Sequence, residues 1–420
     1  MSVRRFASAI GALLAPMLLG ASAVAGGIPA PPDGPYVGPV LDWQRDSADA
    51  YVERLGVSPS VFGQSLPFPL DSDDRRFLEQ FVQQTAAHGA VAQLTLEPRL
   101  PLSQITTAHA VDLGTELDDL HAAYGTEVVL SFAPEMNGSW RAWGQQPESY
   151  RAAFRTVATG VRSETGAAEM LWAPTYGAGY PFGDAYGLSP GAEPRPVEQL
   201  DLTADGTITE ADDPYGPYWP GADVVDRVGL VMYRFGFARP FGVDAVPTAT
   251  ELADRLSERH GYAAGQGGES FHDRFAVAND LPMALETAAA WYDDGGSVTE
   301  AAVKQAWWEQ VFDPALRESF PALDLVTWLE VERPEPEAGG RLTDWRVTSD
   351  AGLAGDFADE LREHATTGPV TAPVEGPEAS DGRSDTGDPD RGTLVGAAVF
   401  GGLMVVVLIG VAVASRRATG

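Results

Sequence analysis

Residues 28–366 predict a (β/α)8 barrel, and three observations carry that prediction. Eight short apolar runs alternate with longer stretches of helical periodicity, the pattern of parallel strands joined by helical crossovers. The span suits one large α/β domain. No glycine-rich loop follows the first run, as a doubly wound nucleotide-binding sheet would require, and Gly177-Ala178-Gly179 is too short to serve as one.

In order, the predicted strands are 36–43, 61–66, 90–96, 127–132, 169–173, 227–232, 282–285 and 323–329. Helical patterns cover 74–88, 147–165, 249–260, 298–312 and 353–364. The second has Pro147 just inside its start and Glu148 in its first turn, both favoured at a helix N-terminus. No internal repeat of fixed period is visible.

The ends read differently. Residues 1–25 resemble a signal peptide: Arg4 and Arg5 precede an apolar run over 7–19, and Ala23-Val24-Ala25 fits a cleavage site. Residues 367–391 are rich in Pro, Gly, Ser, Thr and acidic residues, and read as a disordered acidic linker. Residues 392–415 carry no charge and are long enough for a transmembrane helix, with Arg416 and Arg417 opening a short tail, 416–420. Positive residues stay cytoplasmic, so the barrel is expected on the extracellular face of the membrane.

The chain contains no cysteine, which excludes disulfides and thiolate metal sites. Its formal charge of −32 argues against nucleic acid as a partner and fits a neutral ligand, a metal cation or simple solubility. A monomer is expected.

Barrel active sites form where strands end, so the residues there are the candidates: Asp42, Trp43, Glu97, Glu135, Trp172, Tyr233, Glu286, Trp328 and Glu330. Glu135 and Glu286 each follow a buried apolar strand, where a carboxylate is costly unless paired or used. Two such carboxyls across a barrel mouth are what glycoside hydrolysis needs. From spacing alone Glu97, Asp42, Glu330 and Glu332 are rivals.

The stretch Pro134-Glu135-Met136-Asn137-Gly138-Ser139-Trp140-Arg141-Ala142-Trp143-Gly144 resembles the acid/base segment of glycoside hydrolase family 26, the β-mannanase-type enzymes. Leu171-Trp172-Ala173-Pro174 is similar to that family's fifth strand, residues 218–230 to the lead into its sixth, and residues 281–288 to its nucleophile strand. Trp328 stands where the family has an eighth-strand tryptophan, and the likeness spans about residues 36–365. It implies a retaining glycosidase acting on a β-linked polysaccharide, with Glu286 as nucleophile and Glu135 as acid/base. By the same likeness Tyr233 holds Glu286, and Asn137, Trp140, Trp143, Trp172 and Trp328 meet the sugar. One position departs: the histidine that precedes the acid/base in mannanases is Pro134 here. Beside β-1,4-mannan this leaves mixed-linkage glucan, β-1,3-xylan or an exopolysaccharide open as substrates. A transglycosylase and a carbohydrate-binding barrel without turnover are the competing functions.

A second motif lies between the fifth and sixth strands. Asp201, Thr203, Asp205, Thr207, Thr209 and Asp212 bear oxygens at the spacing of a calcium loop, with Gly206 at its turn. Structural calcium is the expected role. The histidines show no ligand spacing, so no cofactor is expected in catalysis.

Overall fold

The computed structural model describes residues 27–372, apart from 184–188, 190–193, 237–238, 240 and 262–267. Its centre is a closed barrel of eight parallel strands paired in sequence order. These are β1 (Tyr36–Leu41), β2 (Val61–Phe68), β3 (Val91–Pro98), β4 (Val128–Phe132), β5 (Ala168–Trp172), β6 (Arg227–Arg234), β7 (Met283–Ala289) and β8 (Leu323–Glu330). Closure comes from β1 against β8, in register from Tyr36 with Leu325 to Leu41 with Glu330.

Helices α1 (Ala48–Leu55), α2 (Ser72–Ala87), α3 (Thr107–Tyr124), α4 (Pro147–Glu164), α5 (Glu251–Ser257), α6 (Glu300–Phe312) and α7 (Ala351–His364) pack outside. A short antiparallel hairpin, β9 (Glu332–Glu335) with β10 (Arg341–Asp344), follows β8.

Strand side chains alternate between two environments, as a period of two requires. Val61, Val91, Val129, Leu171, Val231, Ala284 and Leu325 fill the lumen. Their neighbours, such as Phe62, Leu130, Trp172, Leu285 and Trp328, face the helices and join the larger core. Space in the lumen is tight: a side chain at Gly38 would come within 1.6 Å of the Val61 carbonyl oxygen.

Two helices were not legible in the sequence, α1 and the longer α3. The α3 sequence carries Gly114 mid-helix, a residue that weakens helical propensity. Its purpose is packing. A Cβ at Gly114 would lie 3.0 Å from Val161 of α4, and one at Gly160 of α4 would lie 2.4 Å from Ala110 of α3. Glycine on both sides lets the two helices approach closely. The sixth, seventh and eighth strands also run past their predicted ends, which puts Tyr233, Glu286 and Glu330 inside strands rather than after them.

The closed end of the barrel is held by ions. Arg227, 2% exposed, pairs with Glu169 at 3.2 Å and with Asp324. Glu169 also accepts the Ile28 amide at 2.9 Å, so the first described residues cover this end. The chain returns there after α7: the Thr366 amide donates to the Pro35 carbonyl at 3.0 Å. Residues 367–371, expected to open the disordered linker, remain tied down, because Gly368 donates to Ser58 and Val370 and Thr371 donate to Gly89. The expected signal peptide, the rest of the linker, the transmembrane segment and the tail lie outside the described residues. No helix among the described residues is long and apolar enough to cross a membrane.

Two outcomes follow from this packing. Arg227→Ala leaves two carboxylates at a closed barrel end without their cation, and should cost roughly 3–5 kcal/mol in urea titration. His260 sits against Tyr176 and Tyr215, its Nε2 without a hydrogen bond, and burial pushes its pKa down to about 4 from 6.5. The unfolded chain therefore binds a proton that the folded one refuses, so stability falls as pH drops from 6.5 towards 4. In His260→Phe, the thermal midpoint should fall less over that interval than in the wild type.

Candidate active site

β4 ends at Phe132, and the chain turns sharply. Ala133 and Glu135 have φ of 49° and 54°, the left-handed region that side chains with a Cβ avoid, with Pro134 between them. The surroundings enforce this geometry. The Glu135 amide donates to the Ala173 carbonyl at 2.8 Å, Gly138 donates back to the Glu135 carbonyl at 2.8 Å, and the Trp143 indole donates to the Pro134 carbonyl at 2.8 Å.

Glu135 is 7% exposed. Its Oε2 accepts from Arg141 Nε at 2.8 Å and Nη2 at 2.5 Å, and from the Trp140 indole at 3.5 Å. Its Oε1 has no hydrogen-bond partner among the described residues. Arg141 also donates to Glu97 at 2.9 Å, and burial of the guanidinium is outweighed by these two carboxylates, which keep its pKa above the ordinary arginine value.

Glu286 lies within β7 on the lumen face, in register with Val231 of β6 and Thr327 of β8. The Tyr233 hydroxyl donates to its Oε1, and Gln93 Nε2 donates to its Oε2 at 3.3 Å while also reaching Thr327 at 3.3 Å. Burial raises the pKa of Glu286 and the charge of Glu135 raises it further, against the Tyr233 hydrogen bond and the charges of Arg141 and Arg333. Burial, then Glu286, also holds the Tyr233 pKa well above the ordinary tyrosine value, so its hydroxyl keeps the proton it donates. Glu135 thus acts electrostatically on Glu286; fixed donors hold Glu135 through Oε2 and Glu286 through both of its oxygens.

The other predicted contacts divide. Trp140 is half-buried beside Glu135, edge-on to Phe182 at 5.0 Å. Trp143 is 8% exposed, with Arg141 over its ring at 5.2 Å. Trp172 and Trp328 are corrections. Trp172 is fully buried among Trp219, Phe271 and Phe275, and Trp328 packs on Phe357 of α7 while donating to the Trp345 carbonyl at 2.8 Å. Both point outward from their strands into the helical layer, so neither offers a face to a sugar. Asn137 is also a correction. It is wholly buried, and its amide group donates to the Thr175 carbonyl at 2.8 Å and accepts the Thr175 amide at 2.9 Å, clamping the β4 loop to the β5 loop.

Of the rival carboxylates, Glu330 accepts from Val347 and Thr348 in the core, Asp42 lies near Arg45, and Glu332 pairs with Arg346. Only Glu97 joins the site, through Arg141.

In the predicted calcium loop the carboxylates bond to the loop itself. Asp201 accepts from Thr203, Asp205 and Gly206, Asp205 from Thr207, and Asp212 from Leu202, Thr203 and Thr209. No cluster of three or more His, Asp or Glu suited to a metal ion occurs among the described residues.

Sequence reasoning assigned no role to Gln93, Arg141, Arg333, Glu335, Glu337 or Trp345. The signal for Gln93 was a polar residue amid the apolar run of β3. The last four come from the hairpin region, whose placement no local pattern encodes.

No family model matches the chain, and no curated protein matches it. Among solved structures it is similar to a Cellulomonas fimi endo-β-1,4-mannanase double mutant, at 17% identity and TM-score 0.45, over 74% of this chain and 64% of that one. It is also similar to a Bacillus subtilis mannanase, at 14% identity and TM-score 0.44, over 80% and 87% of the two chains. A fungal β-1,4-galactanase matches at 11% identity and TM-score 0.47, over 78% and 99%. Likeness at this level does not say what the cleft binds.

The Asn137 clamp is testable. Asn137→Ala leaves both Thr175 backbone groups unpaired in the interior, and should cost about 1–3 kcal/mol in denaturant titration. Unchanged stability with weakened glycan binding would return Asn137 to the ligand.

Proposed function

We propose that the barrel mouth is the active site of a retaining glycosidase that cleaves a β-linked polysaccharide, β-1,4-mannan first among the candidates. The observation that carries the reading is the carboxylate pair, Glu135 fixed through Oε2 and Glu286 through both oxygens, coupled through charge. In the first step Glu286 attacks the anomeric carbon while Glu135, through its unpartnered Oε1, gives a proton to the departing glycosidic oxygen. The sugar–oxygen bond breaks and a glycosyl ester forms on Glu286. In the second step Glu135 takes a proton from water, the water oxygen attacks the same carbon, and the Glu286 carboxylate leaves.

The surroundings suit this exchange. Tyr233 and Gln93 aim Glu286 without neutralising it. Trp140, beside Glu135, supplies an aromatic edge for the sugar. With the export signal and C-terminal anchor read from the sequence, the enzyme acts at the extracellular face of the membrane.

The test is product formation on β-1,4-mannan, mixed-linkage glucan and β-1,3-xylan. Glu286→Ala should lose activity by a factor on the order of 10⁴. Glu135→Ala should keep slow turnover of an activated aryl glycoside and be rescued by azide, giving a glycosyl azide of retained configuration. Equal product release by wild type and Glu286→Ala would end the proposal, and binding of glycan by both without cleavage would favour a carbohydrate-binding barrel.

A further inference from the structure

The hairpin after β8 reaches the same cleft by a route the two glutamates do not require. On β9, Arg333 and Glu335 are two residues apart and so share a face. Glu335, 4% exposed, accepts from Arg333 Nε at 2.7 Å and from the Trp345 indole at 2.8 Å. The Trp345 ring lies 5.5 Å from that of Tyr233, which holds Glu286. A continuous chain of contacts therefore runs from Arg333 to the nucleophile position. The hairpin is itself anchored: Asp344 exchanges two backbone hydrogen bonds with Trp291 just past β7, at 3.0 and 2.9 Å.

Arg333 keeps 43% of its side chain open to solvent. Only its Nε is engaged, so both terminal nitrogens lack a partner among the described residues. Through Glu335 and Trp345 it is linked to Tyr233, and its charge is felt by Tyr233, Glu286 and Arg141. The field there is acidic. Glu97, Glu135, Glu286, Glu335 and Glu337 face Arg141 and Arg333, and Arg141 is already spent on two of these carboxylates. Arg333 is likewise half-neutralised by Glu335. It is a fork of donors rather than a free cation, and a uronate entering this cleft would meet net negative charge.

We propose that Arg333 is a substrate-binding residue whose terminal nitrogens donate to hydroxyl oxygens of a sugar beside the one held between Glu135 and Glu286, and that the cleft selects neutral glycans over uronate polymers. The inference rests on the glycosidase reading of the same site. Kinetics of wild type, Arg333→Ala, Arg333→Lys and Glu286→Ala test it on β-1,4-mannan, mixed-linkage glucan, β-1,3-xylan and β-1,4-polymannuronate. Arg333→Ala should lower kcat/KM on the best neutral polymer by about 10- to 100-fold, chiefly through KM, with kcat little changed. Arg333→Lys, which keeps charge but loses the fork, should lie between the two. Three results overturn the inference while leaving the glycosidase reading intact: an unchanged KM in Arg333→Ala, a loss confined to kcat with a lowered thermal midpoint, or faster cleavage of polymannuronate than of any neutral polymer. Wild type no better than Glu286→Ala on every polymer would instead overturn the glycosidase reading, and this inference with it.

Discussion

The cost of keeping two carboxylates at the mouth of a closed, apolar barrel is the constraint around which this site is arranged. A buried carboxylate needs donors or it takes up a proton. Glu286 receives donors from β3 and β6, through Gln93 and Tyr233, and Glu135 receives them from Arg141 within its own loop. None of these donors can move independently. Gln93 and Tyr233 are on strands whose register is fixed by the ladder, and Arg141 is braced by Glu97 and the Trp143 ring. Strain at Ala133 and Glu135 belongs to the same arrangement, since the β4 loop must turn back at once to bring Glu135 over the lumen.

Aromatic residues divide along the same geometry. In β8, Leu325 faces the lumen and Thr327 shares its face, in register with Glu286. Trp328 must therefore face the other way, into α7. Trp172 alternates with Leu171 and Ala173 in the same manner and ends in an aromatic cluster outside the barrel. Its neighbour in the chain gave no hint of this, but the register of adjacent strands does. Trp345 is the tryptophan nearest Tyr233, and it arrives from the far side of the hairpin.

The eight strands supply a fixed floor, and the loops at their ends supply the walls. Here the wall after β8 is built of two paired strands, and Arg333 and Glu335 stand on one of them.

Local pattern in the sequence determined the barrel and most strand positions, because period-two alternation and strand-to-helix rhythm are properties of neighbouring residues; it left Glu135 and Glu286 among several strand-end carboxylates, and only the family resemblance singled them out. The tertiary structure alone decided the rest. It turned Trp172, Trp328 and Asn137 away from the cleft, brought Gln93 to Glu286 and linked Arg333 to Tyr233 through Glu335 and Trp345. Those outcomes depend on which face of a strand meets the lumen once the sheet closes, and on contacts between residues such as Gln93 and Glu286, 193 positions apart, which no local pattern encodes.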